Sequence, residues 1–150
     1  MNRINSDNYQ KLETVLQKRI LLLDGGMGTM IQRYKLDEQG YRGDRFKNYQ
    51  KDLRGNNDLL VLSQPQIVKE IHEAYLLSGS DIIETNTFNA NPISQSDYGL
   101  EALTYEINFN AAKIVKEVCN TFSAKNPQKP RFAAGKSAIK TKVLGLAEAL

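Results

Sequence analysis

The sequence predicts an α/β fold with parallel strands, and three observations carry that expectation. Short apolar runs stand at residues 20–23, 81–84 and 131–135, each too brief for a helix. Two longer stretches with helical spacing separate them. The first two strands each run straight into a cluster of polar residues. Strand, helix, strand, helix, strand in that order gives right-handed crossover units on a parallel sheet. At 150 residues the chain suits one domain.

Residues 1–18 place Tyr9, Leu12, Val15 and Leu16 at helical spacing, which predicts an amphipathic N-terminal helix. Residues 20–23 (Ile-Leu-Leu-Leu) read as a buried strand that delivers the chain into the tight loop Asp24-Gly25-Gly26-Met27-Gly28-Thr29. Residues 35–58 are polar and broken by Gly40, Gly43 and Gly55, and read as a long connection. Residues 58–62 suit a strand by composition and a helical lead-in by position. Ser63-Gln64-Pro65-Gln66 has the form of a helix start, with Ser63 as cap and Pro65 in the first turn. Ile67, Ile71, Ala74, Tyr75 and Ser78 keep the helical period until Gly79 stops it. Asp81-Ile82-Ile83-Glu84 is a second buried strand, followed by Thr85-Asn86-Thr87-Phe88-Asn89. Ile107, Ala111, Ile114, Val115, Val118 and Phe122 predict a helix over 105–122. Pro127 and Pro130 close the loop behind it, before a third strand at 131–135.

Composition narrows the function. With 41% hydrophobic and 25% charged residues the chain is globular, and no apolar run approaches the ~18 residues of a membrane span. The N-terminus lacks the apolar core of a secretory signal, and a single cysteine rules out an intrachain disulfide; a cytoplasmic location is expected. The net charge of +3 comes from the tail: residues 118–150 carry six basic groups against Glu148 alone. Only Phe122 and Phe132 lie near that charge, so a solvated basic tail is favoured over a nucleic-acid site.

In parallel α/β folds, loops leaving the carboxyl ends of strands face the ligand crevice. Glycines at 25, 26 and 28 let the backbone approach a ligand, with N–H groups available to a carboxylate, while Asp24 can accept from an ammonium group. The pair suits a zwitterionic amino acid. Equally, the glycines turn the chain and Asp24 caps the next helix. The spacing matches neither a Walker loop nor a dinucleotide fingerprint. Glu84, Thr85 and Asn86 offer a second polar cluster, which can instead satisfy loop backbone. His72 reads as a surface or semi-buried structural histidine, and Cys119 as a small core residue.

Four segments in order, residues 22–32 around Asp24-Gly25-Gly26-Met27-Gly28-Thr29, residues 57–60 (Asn57-Asp58-Leu59-Leu60), residues 79–89 around Glu84-Thr85-Asn86-Thr87-Phe88, and residues 106–112 (Glu106-Ile107-Asn108-Phe109-Asn110-Ala111-Ala112), resemble the homocysteine-binding domain of cobalamin-dependent methionine synthases. The resemblance implies the first part of a (βα)8 barrel, about three of eight units, over residues 19–135. It implies homocysteine held at the carboxyl face, its thiolate bound by zinc, and methylcobalamin as methyl donor. Asp24, Gly25, Gly26, Gly28 and Thr29 would grip the amino-acid end, with Glu84, Thr85 and Asn86 lining the same pocket. It also favours a helical lead-in at 58–62.

The zinc cysteines of that family have no counterpart here, and residues 136–150 diverge from its pattern, so a truncated barrel inactive by itself is expected. The alternative is a noncatalytic small-molecule-binding or interaction remnant. An incomplete barrel exposes a strand edge, which invites the remaining part of the barrel or self-association, although a helix over 138–150 can cover part of it.

Overall fold

The computed structural model describes residues 7–135. The expectations for the basic tail, and for a helix within it, lie outside the described residues. In chain order the elements are α1 (Asp7–Leu16), α2 (Met27–Gln32), α3 (Glu38–Arg42), a 3-10 turn at Asn57–Leu59, α4 (Leu60–Ser63), α5 (Pro65–Leu77), β1 (Ile82–Glu84), α6 (Pro92–Ser96), a 3-10 turn at Glu101–Leu103, α7 (Thr104–Lys125) and β2 (Phe132–Ala134). No helix among the described residues is long and apolar enough to cross a membrane.

β1 and β2 pair in parallel, with Ile82 opposite Phe132, Ile83 opposite Ala133 and Glu84 opposite Ala134. That makes two strands where three βα units were expected. The run at 20–23 contributes one parallel bridge, Leu23 to Ile82, framed by Ile82 N–H to Leu22 O (3.1 Å) and Asp24 N–H to Ile82 O (2.9 Å). It is not buried either: Ile20 is 84% exposed, Leu22 56% and Leu23 54%. A parallel strand is buried only when both faces and both edges are covered, and among the described residues this segment pairs with β1 alone.

The core has two parts. Leu59, Leu60, Val61, Val68, Ile71, Ile107 and Ala111 pack the upper cluster, and Leu76, Ile83, Val115, Val118 and Cys119 the lower. Residues 58–62 are helical, since their apolar side chains enter this core beside α5 and α7. The stretch 35–58 is more than a connection. It forms α3, capped by the Asp37 side chain, and buries Tyr41, Phe46 and Leu53. Ser63 ends α4 instead of capping α5, whose cap is Gln64 without a side-chain bond; Pro65 does occupy the first turn. Gly79 stops the helix at φ +112°, where a side chain is strained.

At the amino ends of the strands Asp81, 1% exposed, joins three segments. Arg19 reaches it in a fork (2.7 and 2.8 Å), Arg131 bonds it at 2.9 Å, and Leu22 N–H donates at 3.1 Å. The Arg19 guanidinium, with help from Arg131, holds this carboxyl below its ordinary value. Sheet register is thus fixed at the end away from the polar loops.

Candidate functional site

The carboxyl ends of the paired segments bring the two polar loops together. Asp24 Oδ2 accepts the Glu84 N–H at 3.1 Å, and the Asp24 N–H donates to Ile82 O at 2.9 Å. One residue therefore ties the glycine loop to the tip of β1. Asp24 does not cap α2: the cap position is Gly26, with no side-chain bond.

Gly25, Gly26 and Gly28 all lie outside the positive-φ region, so none is there to make a left-handed turn. Gly25 has a packing reason, because a Cβ would stand 3.2 Å from the Tyr75 ring and hydroxyl. Gly26 is tight against the Thr29 side chain, at 3.2 Å, whereas a Cβ on Gly28 would make only ordinary contact with Asn57. Gly25, Gly26 and Thr29 are exposed, and Asp24 and Gly28 partly so.

The second loop is held from within. Thr85 Oγ1 and Thr87 Oγ1 are 2.7 Å apart, and Thr85 N–H continues the sheet to Ala134 O at 2.8 Å. Asn86, 7% exposed, donates from Nδ2 to the Asn57 carbonyl at 2.6 Å. Thr85 and Asn86 are thus buried, while Asp24 and Glu84 are partly exposed as residues, with Asp24 Oδ1 itself buried.

Sequence reasoning missed the members supplied by the segment before α4. Asn57 Oδ1 accepts the Tyr41 hydroxyl at 2.8 Å, and Asp58 Oδ1 accepts Asn89 N–H at 2.9 Å. The legible signal was an Asn-Asp pair opening an apolar helical run, the ordinary sign of a cap. Burial pushes the Asp58 carboxyl up to about 6 against the pull of backbone amides at 89, 58 and 90.

His72 is not on or near the surface. It lies between Val68 and Leu76 on one stripe of α5, is 0% exposed, and neither ring nitrogen has a hydrogen-bond partner. Burial lowers its pKa to about 4. Cys119 is the core residue expected, its thiol pushed up to about 12 by burial. Among the described residues no three His, Cys, Asp or Glu side chains come together as a metal-binding group.

A sequence model described as homocysteine S-methyltransferase matches residues 21–147. The chain belongs to the homocysteine S-methyltransferase family. Its structure is similar to that of the homocysteine methyltransferase MmuM from Escherichia coli. Against the metallated form the TM-score is 0.65 at 19% identity, covering 89% of this chain and 43% of that one. Against the oxidized form it is 0.66 at 21% identity, covering 93% and 43%. The chain spans less than half the length of these solved relatives, and at such identities the likeness is one of fold. The two parallel strands and their helices thus correspond to part of a homocysteine S-methyltransferase-family fold.

Proposed function

We propose that this chain provides the homocysteine-binding part of a methyltransferase that forms methionine, with methylcobalamin as donor as in the methionine synthases. The observation that carries the reading is the Asp24 to Glu84 N–H bond, which brings the two motif loops to one point at the carboxyl ends of parallel segments. Asp24 would hold the substrate ammonium, and backbone N–H groups of Gly25, Gly26, Gly28 and Thr29 its carboxylate. Glu84, Thr85 and Asn86 would wall the same pocket.

The resemblance implies zinc for the thiol and cobalamin for the methyl group. The described residues do not fit a zinc site: Cys119 is in the helical core and His72 is enclosed in α5 packing. Binding and orientation of the amino acid are therefore the chemistry assigned to them.

Calorimetric titration of the reduced chain with L-homocysteine tests this. Asp24→Asn keeps an acceptor for Glu84 N–H but loses the charge facing the ammonium group. Losing one charged hydrogen bond is expected to weaken binding by about tenfold or more, with thermal stability little changed. Absence of binding to the unaltered chain, or equal affinity in Asp24→Asn, overturns the assignment.

A further inference from the structure

We propose that Asp58 is a positioning residue for the carboxyl-end face: together with Asn57 it grips the loop after β1 at two points and so sets where Asn86 stands. The proposal rests on the functional reading for its ligand and on the geometry alone for the grip.

Asn57 O takes the Asn86 amide at 2.6 Å and Asp58 Oδ1 takes the Asn89 N–H at 2.9 Å. The two acceptors are consecutive residues opening a turn whose next side chains, Leu59 and Leu60, are both 0% exposed. The loop is therefore anchored at residues 86 and 89 to a segment rooted in the core. Asn89 is held from its other side too, since Gln95 Nε2 donates to its carbonyl at 3.2 Å. Gln95, 1% exposed, is itself paired with buried Asn56 at 2.8 Å.

Stability does not favour a carboxylate at this position. Asp58 is 6% exposed and has no ion-pair partner among the described residues. A neutral amide would accept the same N–H at a smaller desolvation cost. The charge strengthens the bond to Asn89, because an ionised acceptor binds an N–H more tightly than a neutral one. A cleft of about 180 Å³ beside it, shared with Asn89, Asp97 and Tyr98, gives solvent protons access. Asp97 and Tyr98 are the titratable groups facing it across that cleft, and Arg54 lies four residues back on its own segment. Burial outweighs the pull of that bond and raises the carboxyl to about 6 in the closed fold against 3.8 in solvent, so the closed loop takes the proton before an opened one and the grip tightens as pH falls through 6.

Amide hydrogen exchange of the full chain between pH 5 and 8, corrected for intrinsic rates, tests the grip without a ligand. Protection at residues 86–90 is expected to rise about tenfold as pH drops from 8 to 5, because the closed loop holds the Asp58 proton and an opened one gives it up. Asp58→Asn, neutral at every pH, should hold protection near the low-pH level of the unaltered chain throughout and remove its pH dependence. Asp58→Ala should lose protection at 86–90 at every pH while α5 and α7 keep theirs; should those helices also lose protection, Asp58→Asn alone decides. Unchanged protection in Asp58→Ala, or a midpoint near 6 that survives in Asp58→Asn, overturns the proposal. Homocysteine affinity measured over the same range should follow the loop in the unaltered chain and be flat in Asp58→Asn. If the chain binds no homocysteine at any pH, the functional reading fails, while the exchange result still decides the role of Asp58.

Discussion

The folded chain is expected to keep a nearly constant stability between pH 6 and 4 because two buried groups cancel, and removing either exposes the other. His72 titrates near 6.5 in an unfolded chain and near 4 in the fold. Between those values the unfolded state binds the extra proton, so stability falls as pH falls, by about 3 kcal/mol at 1.36 kcal/mol per pH unit. Asp58 runs the other way. Its ordinary value of 3.8 rises to about 6 in the fold, so the folded state takes the proton first. Stability then rises as pH falls from 6 to 4, by about 2 kcal/mol, and His72 removes a similar amount over the same interval. Urea unfolding at half-unit pH steps measures both. Asp58→Asn should lose about 2 kcal/mol on going from pH 6 to 4, and His72→Leu should gain a similar amount, less what other carboxylates lose toward the lower end. A flat profile in Asp58→Asn would show that His72 gains a proton partner on folding, contrary to its sealed position between Val68 and Leu76.

Asp81→Asn leaves Arg131, whose side chain is 9% exposed, with no carboxylate, and should cost about 3 to 5 kcal/mol in urea unfolding at pH 7. The same carboxyl, held low by Arg19, contributes stability above pH 3.8 that is lost as pH falls through its depressed folded value, so Asp81→Asn should flatten the acid limb of the curve. Cys119, buried with its thiol near 12, should resist alkylation by iodoacetamide at pH 8 in the native chain and react fully in 6 M guanidinium. Exposed Ile20, Leu22 and Leu23, on a segment that among the described residues pairs with β1 alone, should drive concentration-dependent association in sedimentation velocity; Leu22→Lys should reduce it, and a monomer at every concentration would count against that edge.

What could be read along the chain was whatever repeats locally. The stripe from Ile67 to Ser78 with Gly79 behind it gave α5, and the steps from Ile107 to Phe122 gave α7, because a helix closes its hydrogen bonds within itself and needs only one apolar face. Two polar loops directly behind the apolar residues at 20–23 and 82–83 were also legible. Tertiary structure decided everything that depends on a distant partner. Residues 20–23 have the composition of a buried strand, yet burial depends on neighbours beyond β1. Tyr41, Phe46 and Leu53 stand in a polar stretch with no period and enter the core only because α4 and α7 offer them a surface. Asp24, readable from the sequence as a cap or as an ammonium acceptor, is a tie between loops 60 residues apart, and Asp58, given no role by the sequence, holds a loop 31 residues on. Periodicity reports the face an element must bury, whereas a carboxylate's partner is set by which backbone N–H groups the folded chain brings within about 3 Å of it.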